Sequence, residues 1–503
     1  MKNKLNVVEA ISDSRPVVMF VARGHPGNRW YKNSSGDMVL KDEYAENIPE
    51  ALVEICNVLN WRLIVFFAGR SPDFDDQKLT YSQKYPTVAT QMEFSDFGLK
   101  ISKRKEEVLR ETRDNFSSFS ESAEFKSLFS YKGVNFDDHI TEKLNKDIPA
   151  LSANMKTVHE LWSEIFKKTK PNIIIGGRLD VMPYLVSAAK SKGIYTCNIK
   201  LGVGEEMLFP FAVKNKKGDF EESIAPNLTI LWGTEQKSLI EKRFPDYPSE
   251  LVVSGRTRND SFKEPVTSDE LAEVRDSLGL LEDETIILFG GNNRTFFGMG
   301  DGEDSGTCCL SPYSLKAAIE TLSEYAANYG SCKVIVKPHP VDDTQLIESI
   351  CDRFDNVIFI DPIGAAHNSV LLSLSKFFVS SASSMFTEAI AAGSLPINLW
   401  INDVNYLYEV ERKNVWGNLS ITVESISELP TAIDSFLSDE DLRRKTCDEL
   451  SKKLPSYAGH TDGLNSVRAV ELSFTAYAKE YEDYKLEKQI KEWTTSLGLR
   501  DYS

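Results

Sequence analysis

The feature that most limits how this chain can fold is an alternation of short apolar segments with amphipathic ones. The apolar segments are hydrophobic along their whole length, which is typical of parallel strands buried on both faces. The stretches between them, such as 46–60 and 183–193, predict covering helices. In the first half of the chain the predicted strands are PVVMFVARG (16–24), WRLIVFFAG (61–69), PNIIIGG (171–177), IYTCNIKLG (194–202), LTILWG (228–233) and ELVVSG (250–255).

A second series of strands begins after the polar segment 263–284. Its predicted strands are TIILFGG (285–291), CKVIVKPHP (332–340), NVIFID (356–361), the end of SVLLSLSKFFVSS (369–381) and, last, LPINLW (395–400). We therefore expect an α/β protein with two Rossmann-like, doubly wound parallel-sheet domains that face a cleft. The expected divisions are a first domain at 1–255, a second domain at 256–460, and helices at 461–503 that pack back on the body. Residues 70–160 are more polar and predict long solvated helices.

Charge and cysteine usage exclude several classes of protein. The 75 Asp and Glu against 58 Lys and Arg give a net charge of −17, which disfavours a nonspecific nucleic-acid binder. Seven widely spaced cysteines without a Cys-x-x-Cys pair predict reduced thiols, and six scattered histidines predict no metal site. No run of 18 apolar residues occurs, and the first residues lack the apolar core of a signal peptide. We expect a cytoplasmic protein.

The first motif that bears on chemistry follows the strand at 332. Lys337, Pro338, His339 and Pro340 stand where the carboxyl end of a parallel strand meets a ligand. A lysine and an imidazole there donate to a phosphate oxygen and stabilise a departing phosphate. The alternative is a turn stiffened by proline with an incidental histidine.

A serine-rich segment ends the strand at 377–381 and is followed by a helix. Ser380, Ser381, Ser383 and Ser384 offer hydroxyls at a helix N-terminus, where backbone N–H groups and the helix dipole bind anions, and Glu388 lies early in that helix. The alternative is that these serines only cap the helix. Taken in order, the two motifs predict one site for a phosphate-bearing ligand.

Glycines and cations at other strand ends extend the candidate site. Gly290 and Gly291 allow a ligand to approach the backbone closely, and Asn292 and Arg294 follow them. Asp180 stands where a base or nucleophile would face a donor sugar, with a helix N-cap as the alternative. The expected anion or acceptor contacts are Arg23, His25, Arg178, Arg256 and Arg258. For the last two, a structural hinge with an Arg–Asp pair is an equal alternative.

On these motifs the chain resembles the GT-B superfamily of nucleotide-sugar glycosyltransferases. Bacterial sialyltransferases carry an HP motif followed by an SS or ST motif, as His339-Pro340 and the serines of 380–384 do here. Kdo transferases of capsule and lipopolysaccharide assembly look similar, as do glycerophosphotransferases that use CDP-glycerol. The specific likeness covers roughly 228–400, and the N-terminal half resembles the superfamily in architecture alone.

The resemblance implies a GT-B fold, with an acceptor-side domain at 1–255 and a nucleotide-sugar-binding domain at 256–460, and a role for each motif. His339 and a hydroxyl among the serines would hold the nucleotide phosphate, and Glu388 would face the ribose. The catalytic residue of the first domain carries over by position to Asp180, acting either as a base on the acceptor hydroxyl or as a nucleophile. No metal or cofactor is implied. The two carboxylates before a glycine that sialyltransferases carry have no counterpart at a strand end in 1–230, which leaves Kdo-like and other sugars open.

The expected partners are thus a nucleotide sugar, favoured as CMP-linked, and a glycan or lipid-linked glycan acceptor at the inner membrane. KISKRK (100–105) offers a basic patch for that membrane, or simply a solvated helix face. A CDP-glycerol-type glycerophosphotransferase is an alternative, for which His25 is the candidate second histidine. A sugar-nucleotide epimerase would need a carboxylate cluster that the sequence does not reveal. A non-catalytic accessory protein of polysaccharide assembly is the remaining alternative.

Overall fold

Seventeen strands and fifteen α-helices occur in the part of the chain that the computed structural model describes. That part comprises residues 14–22, 28–32, 38–42, 48–67, 89–93, 101–127, 130–131, 134–135, 137–177, 179, 182–200, 221–263, 265–291, 310–338, 342, 344–361, 368–401 and 417–499. The strands are β1 (Val17–Ala22), β2 (Asn28–Lys32), β3 (Met38–Asp42), β4 (Arg62–Phe67), β5 (Ala89–Glu93), β6 (Ser130–Tyr131), β7 (Val134–Asn135), β8 (Ile173–Gly177), β9 (Tyr195–Ile199), β10 (Leu228–Leu231), β11 (Glu250–Val253), β12 (Thr285–Gly290), β13 (Cys332–Lys337), β14 (Val357–Phe359), β15 (Phe377–Ser380), β16 (Leu395–Leu399) and β17 (Ile421–Val423). The helices are α1 (Ile48–Leu59), α2 (Ile101–Ser120), α3 (Ala123–Ser127), α4 (Asp137–Thr169), α5 (Pro183–Lys190), α6 (Thr234–Arg243), α7 (Ser268–Leu278), α8 (Pro312–Tyr329), α9 (Thr344–Cys351), α10 (Asn368–Leu374), α11 (Met385–Ala392), α12 (Leu429–Leu437), α13 (Glu440–Ala458), α14 (Asn465–Glu480) and α15 (Tyr484–Ser496).

Two parallel sheets organise these elements. The first has the order β11-β10-β9-β8-β1-β4-β5 and the second the order β14-β13-β12-β15-β16-β17. Every neighbouring pair in both sheets is parallel. β2 with β3 and β6 with β7 form two small antiparallel pairs. The two-sheet, doubly wound architecture that the sequence predicts is confirmed.

Both faces of the first sheet are covered by helices, as its apolar strands require. Along β1, Val18 and Phe20 pack into a cluster with α1 and the C-terminal helices, whereas Val17 and Met19 pack on the other face with α4 and α5. The second sheet has its own core, in which the buried side chains of β12, β13, β15 and β16 meet α8, α10, α11 and α13. Because successive side chains of a strand point to opposite faces, strands buried on both sides have no room for polar alternation.

The C-terminal helices pack back on the first sheet, as expected. Trp61, just before β4, lies with its ring centroid 5.3 Å from that of Phe474 on α14, and Tyr195 of β9 lies 6.0 Å from Tyr477. The chain therefore passes from the first sheet to the second and returns. The division at 255 and 460 stays a prediction.

The structure differs from the sequence prediction at the sheet edges. LPINLW, which forms β16, is not the final strand, because the three-residue β17 pairs with it through Ile397 and Ile421. β5 is a further edge strand that the sequence prediction missed. The long helices predicted in 70–160 are present as α2 and α4. None of the helices in the described ranges combines the length and the apolar character needed to cross a bilayer.

The basic run at the start of α2 carries an ion-pair network at Arg104. This side chain lies 2.7 Å from Glu160 and 3.3 Å from Glu107, and the hydrogen bonds to these carboxylates raise the pKa of Arg104. Part of the charge of the run is thereby balanced within the protein, which fits the solvated helix face that the sequence offered as one alternative.

Candidate functional site

Three predicted site segments meet where neighbouring strands of the second sheet end. β12 lies between β13 and β15, and Gly290 is in register with Lys337. The Ser380 hydroxyl donates a hydrogen bond of 2.9 Å to the carbonyl oxygen of Gly290. The glycine, lysine and serine segments, which are far apart in sequence, thus share one edge of the sheet, the edge at which parallel α/β sheets bind ligands.

Gly290 allows this close approach because it has no side chain. A Cβ atom there would lie 2.8 Å from a ring carbon of Phe378 on the adjacent strand, which is tighter than packing permits. The next residue continues the connection, since the N–H of Gly291 donates to the carbonyl oxygen of Lys337 at 2.9 Å.

Lys337 is held at its strand end by a partner that the sequence did not indicate. Its Nζ donates to Oδ1 of Asn368, at 2.6 Å, and Asn368 is the first residue of α10. Lys337 is half-buried. A positive charge is therefore anchored beside Gly290.

The serine segment, Ser380–Ser384, forms a tight loop between β15 and α11, which we call the serine loop. Ser380 and Ser381 are buried. Ala382 adopts a left-handed φ of 45°, and its N–H donates to Oδ1 of the buried Asn398 at 3.0 Å. Ser383 accepts from the N–H of Met385, the first residue of α11, at 3.2 Å, whereas the N-cap residue Ser384 makes no side-chain capping hydrogen bond. Asn398, which fixes the loop, was missed because it stands inside an apolar strand.

The first sheet contains the same device as the second. Asn198 on β9 is opposite Gly176 of β8, just as Asn398 on β16 is opposite Ser380 of β15. Oδ1 of Asn198 accepts from the N–H of Leu179 at 2.7 Å, in the loop that leaves β8. Both asparagines are fully buried, and neither Nδ2 has a hydrogen-bond partner within the described ranges. Each sheet therefore uses an asparagine to fix the loop that follows the neighbouring strand.

A buried ion pair joins α11, the helix after the serine loop, to the segment after β11. The Arg256 guanidinium, 1% exposed, pairs with the Glu388 carboxylate and donates to the carbonyl oxygen of Ser384 at 3.0 Å. It also stacks over the Trp232 ring, 4.7 Å from its centroid. Arg258 lies 4.0 Å from the same carboxylate. The structure thus brings together three residues that the sequence predicted separately, and the partner of Arg256 is a glutamate of the second sheet's helix instead of an aspartate.

Two segments lie against each other next to this ion pair, one directly after β11 and one at the end of α13. The N–H of Arg256 donates to the carbonyl oxygen of Ala458 at 2.8 Å, and a Cβ on Gly459 would lie 2.2 Å from Cα of Gly255. Asp260 accepts from the N–H groups of Asn465 and Ser466, at 2.8 and 2.7 Å, and so caps α14. Burial raises the pKa of this carboxyl, because desolvation outweighs those hydrogen bonds.

Several predicted site residues lie outside the described residues. They are Arg23, His25, Arg178, Asp180, Asn292, Arg294, His339 and Pro340. Their roles stay predictions.

The described ranges contain neither a cluster of metal-ligating side chains nor a disulfide bond. No group of three His, Cys, Asp or Glu side chains there is placed to hold a metal ion. The five cysteines within these ranges are free thiols, and burial raises the pKa of Cys197 and of Cys332 to about 12. Thiols of this kind are unreactive at neutral pH.

Comparison with known proteins identifies the architecture. No protein-family model matches the chain, and no curated protein matches it in sequence. Among solved structures, the UDP-GlcNAc 2-epimerase from Neisseria meningitidis bound to UDP-GlcNAc is similar, with 12% identity, a TM-score of 0.52, and 91% of this chain and 99% of that one covered. A glycosyltransferase from Rickettsia africae has 12% identity and a TM-score of 0.50, with 94% and 100% covered. Sucrose-phosphate synthase from Thermosynechococcus elongatus has 14% identity and a TM-score of 0.50, with 93% and 100% covered.

These similarities extend over nearly the full length of each chain. At such low identity they establish the fold alone, which is a GT-B-like α/β fold with two parallel sheets. The predicted fold class is confirmed. The finer likeness to enzymes that use cytidine nucleotides has no counterpart among these neighbours.

Proposed function

We propose that the protein is a nucleotide-sugar-dependent glycosyltransferase whose donor nucleotide binds at the strand ends of the second sheet. The observation that carries this proposal is the meeting of Gly290, Lys337 and the serine loop at one edge, directly before α11. An ammonium group, hydroxyls and a helix N-terminus then surround one position. That combination suits a phosphate or diphosphate, because charge and oriented N–H dipoles act together on the anion.

The reaction that this site would support is transfer from the anomeric carbon of the donor. The acceptor oxygen forms a bond to that carbon while the bond from the carbon to the phosphate oxygen breaks, and the nucleotide leaves with the electron pair. Lys337, His339 and the serine loop would stabilise the negative charge that develops on the leaving phosphate. Asp180 would take the acceptor proton, or attack first in a retaining reaction.

Glu388 has a defined place in this proposal. A carboxylate early in α11 suits the hydroxyls of the nucleotide ribose, and Arg256 together with the serine loop fixes its orientation. The contact links the donor site to the segment that joins the two sheets. Binding of the nucleotide to Glu388 would therefore affect its ion pair with Arg256, in the segment that connects the two sheets.

The donor and acceptor follow from the motifs in the sequence. The order of the histidine–proline and serine motifs favours a CMP-linked sugar of Kdo or sialic type, and a surface-polysaccharide or lipopolysaccharide acceptor. Such an acceptor implies a cytoplasmic enzyme working at the inner face of the membrane. A CDP-glycerol-type glycerophosphotransferase and a non-catalytic accessory protein remain the alternatives for a chain that binds CDP or no nucleotide.

A second candidate function is epimerisation of a sugar nucleotide. It is favoured by a specific observation, since the structure from Neisseria meningitidis, which has this fold, is a UDP-GlcNAc 2-epimerase. An epimerase acts on the nucleotide sugar alone, whereas a transferase needs an acceptor. That difference separates the two candidates.

The first experiment measures thermal stability of the purified protein with CMP, CDP, UDP, GDP and ADP. A nucleotide at a hundred times its dissociation constant adds about 2.7 kcal/mol, a shift of a few degrees. Stabilisation by CMP supports a Kdo- or sialic-like donor, CDP supports a glycerol phosphate donor, and UDP favours the epimerase or another transferase. A protein that responds to none of the five would contradict the proposal and favour the accessory role.

The second experiment decides between transfer and epimerisation. The stabilising nucleotide is supplied as its sugar conjugate in D2O, with and without acceptor glycan. Release of free nucleotide that depends on the acceptor supports transfer. Exchange of a sugar C–H for deuterium without acceptor, with the nucleotide still attached, supports epimerisation. As a control, His339→Ala should lower turnover by about a hundredfold or more in the transfer assay.

A further inference from the structure

A cavity of about 450 Å³ lies beside the first sheet, away from the strand ends of the candidate site in the second sheet. Its walls include Lys167 and Lys170 at the end of α4, Lys192 in the turn before β9, and Tyr477 and Tyr481 at the end of α14. The volume is within the range of sites that hold small molecules or short oligomers.

The cavity is at the edge of the first sheet at which its parallel strands begin. Its lining includes Asn172 and Ile194, which directly precede β8 and β9. The loops proposed to face the acceptor leave the other ends of the same strands. A five-residue strand separates the two edges by about 16 Å. A ligand in this cavity would be separate from the donor and from the acceptor hydroxyl.

Three cations surround the cavity in a strongly acidic protein. Among the described residues, none of the ammonium groups of Lys167, Lys170 and Lys192 is in an ion pair with a carboxylate. Glu480 acts on Lys190, whose Nζ also donates to the carbonyl oxygen of Glu222 at 2.6 Å, and on Tyr481. Asp483 acts on Tyr477, so that the three lysines outnumber these two carboxylates. The whole chain has a net charge of −17, so that most of its surface repels anions. The three lysines form a local positive patch that attracts them.

The tyrosines contribute ring faces more than hydroxyl groups. The Tyr481 hydroxyl donates to the carbonyl oxygen of Gly193 at 2.9 Å, and the Tyr477 hydroxyl accepts from Nδ2 of Asn172 at 3.4 Å. The two ring centroids are 4.7 Å apart, and Tyr481 is 50% exposed. Its exposed ring suits the C–H face of a sugar, because an aromatic face attracts weakly polarised C–H groups.

Lys170 provides an independent indication that the cavity has a function. It has a left-handed φ of 46°, directly after the end of α4, where glycine or asparagine fits without strain. A lysine in this conformation costs about 1–2 kcal/mol. Strain of this kind collects at functional sites, where a side chain is needed in spite of its cost.

We propose that this cavity binds an anionic saccharide, with the lysines holding its carboxylate or phosphate groups and Tyr481 packing against a sugar ring. The choice of a saccharide among other anions rests on the proposed function. A glycan polymer longer than the active site would then be held at a second point on the enzyme.

Calorimetric titration of the full chain with hexagalacturonate tests this proposal, with maltohexaose as the neutral probe and tripolyphosphate as the anion without sugar. The variants are the triple Lys167→Gln, Lys170→Gln, Lys192→Gln and the single Tyr481→Ala. The matched control is the triple Lys445→Gln, Lys452→Gln, Lys485→Gln, which removes three exposed lysines on α13 and α15. We expect hexagalacturonate to bind, and both cavity variants to weaken it by about tenfold or more, with the control unchanged.

Three results would overturn the proposal: no binding of hexagalacturonate, equal weakening in the control triple, or tripolyphosphate binding as tightly and without regard to Tyr481→Ala. The nucleotide panel is repeated on the same variants. A cavity variant that loses its response to nucleotide would make the cavity a nucleotide site and also overturn the proposal. If the wild type responds to no nucleotide yet binds hexagalacturonate, the proposed function fails and the saccharide site stands.

Discussion

Asn198 and Asn398 occupy equivalent places in the two sheets. Each is the fourth residue of its strand, each is fully buried, and each accepts a backbone N–H from the loop that leaves the neighbouring strand. The chain therefore fixes one loop in each sheet by the same means. In the second sheet that loop is the serine loop, and in the first it leads from β8 to α5.

This equivalence predicts different outcomes for two similar substitutions. Asn398→Ala removes the acceptor for Ala382 and releases the serine loop, whereas Asn198→Ala releases only the loop at Leu179. Each should destabilise the fold by about 1–3 kcal/mol, because a backbone N–H loses its partner. Nucleotide affinity should fall in Asn398→Ala alone, as measured by titration of the nucleotide that stabilises the wild type. Equal affinities in the two variants would show that Asn398 has no role in positioning the nucleotide site.

Lys337 should contribute to nucleotide binding in a way that another lysine of the same strand does not. Lys337→Met removes a charge-assisted contact to phosphate and should weaken nucleotide binding by about tenfold to a hundredfold. Lys333→Met is the matched control, because Lys333 is near the other end of β13, where its Nζ donates to the carbonyl oxygen of Asp355. Binding constants from calorimetry compare the two. Equal effects would place the phosphate elsewhere.

The buried pair of Arg256 and Glu388 should be strongly coupled. Arg256→Met leaves a buried carboxylate without its main partner and should cost about 3–5 kcal/mol. The double variant Arg256→Met, Glu388→Met should cost less than the sum of the single variants by about 0.5–3 kcal/mol. Urea denaturation provides the three free energies of unfolding.

A surface pair calibrates that measurement. Arg353 and Glu320 are 2.6 Å apart with side chains 54% and 27% exposed, and their coupling should not exceed about 1 kcal/mol. Coupling of Arg256 with Glu388 as weak as this would mean that Arg258, 4.0 Å from Glu388, replaces the lost partner.

Asp462 should make stability depend on pH in the acid range. Burial raises the pKa of this carboxyl, but the hydrogen bonds and charge of Arg468 lower it by more, so that it lies below its usual value of 3.8. The native state then binds fewer protons than the unfolded state between these values. This contribution to stability is present above pH 3.8 and is lost as the pH falls through the folded pKa.

Asp462→Asn tests this dependence by chemical denaturation at a series of pH values. The variant should be less stable than the wild type at pH 7, and the difference should shrink below pH 3.8. Asp441→Asn, which removes a carboxylate whose side chain is 87% exposed, is the control and should show no such convergence. Parallel pH curves for the wild type and Asp462→Asn would contradict the assignment.

The left-handed conformation of Lys170 predicts a substitution that stabilises the protein. Lys170→Gly removes the steric cost of φ 46° and should raise the free energy of unfolding by about 1 kcal/mol. Lys167→Gly, inside the last turn of α4, should lower it by about 1 kcal/mol. Thermal and urea unfolding compare the two. The same change of residue type should thus have opposite signs three positions apart, and a loss of stability in Lys170→Gly would mean that its side chain holds the cavity together.

Sequence patterns predicted the central strands better than the edges. Segments such as IIIG in β8 are buried on both faces, so that their residue types alone indicate a strand. β17 is β-branched throughout but has only three residues, too few to show a strand pattern, and β5 has mixed residue types without a β-branched run. The meeting of Gly290, Lys337 and Ser380 was predictable because the ends of parallel strands share one edge.

The contacts that fix the site were less predictable. Arg256 and Glu388 are 132 positions apart, and no spacing rule relates them. Asn198 and Asn398 did leave a signal, since each is a single amide within an apolar strand. A polar group in such a place must find a partner, and the end of a neighbouring strand is where free N–H groups occur.

Because α14 and α15 pack on the first sheet, the core of that sheet can be completed only after the second sheet has been synthesised. Phe474 and Ile490 complete a core face of that sheet, yet they are synthesised more than 200 residues after β11. At ribosomal rates of about 5–20 residues per second, the gap amounts to roughly 10–50 seconds. During that time one apolar face of the first sheet is exposed to solvent, whereas the second sheet can fold as soon as its own strands have been synthesised. In a cell the first sheet would therefore need a chaperone or the ribosome to cover this apolar face until α14 and α15 pack on it. The domain that is synthesised first is the last to complete its core.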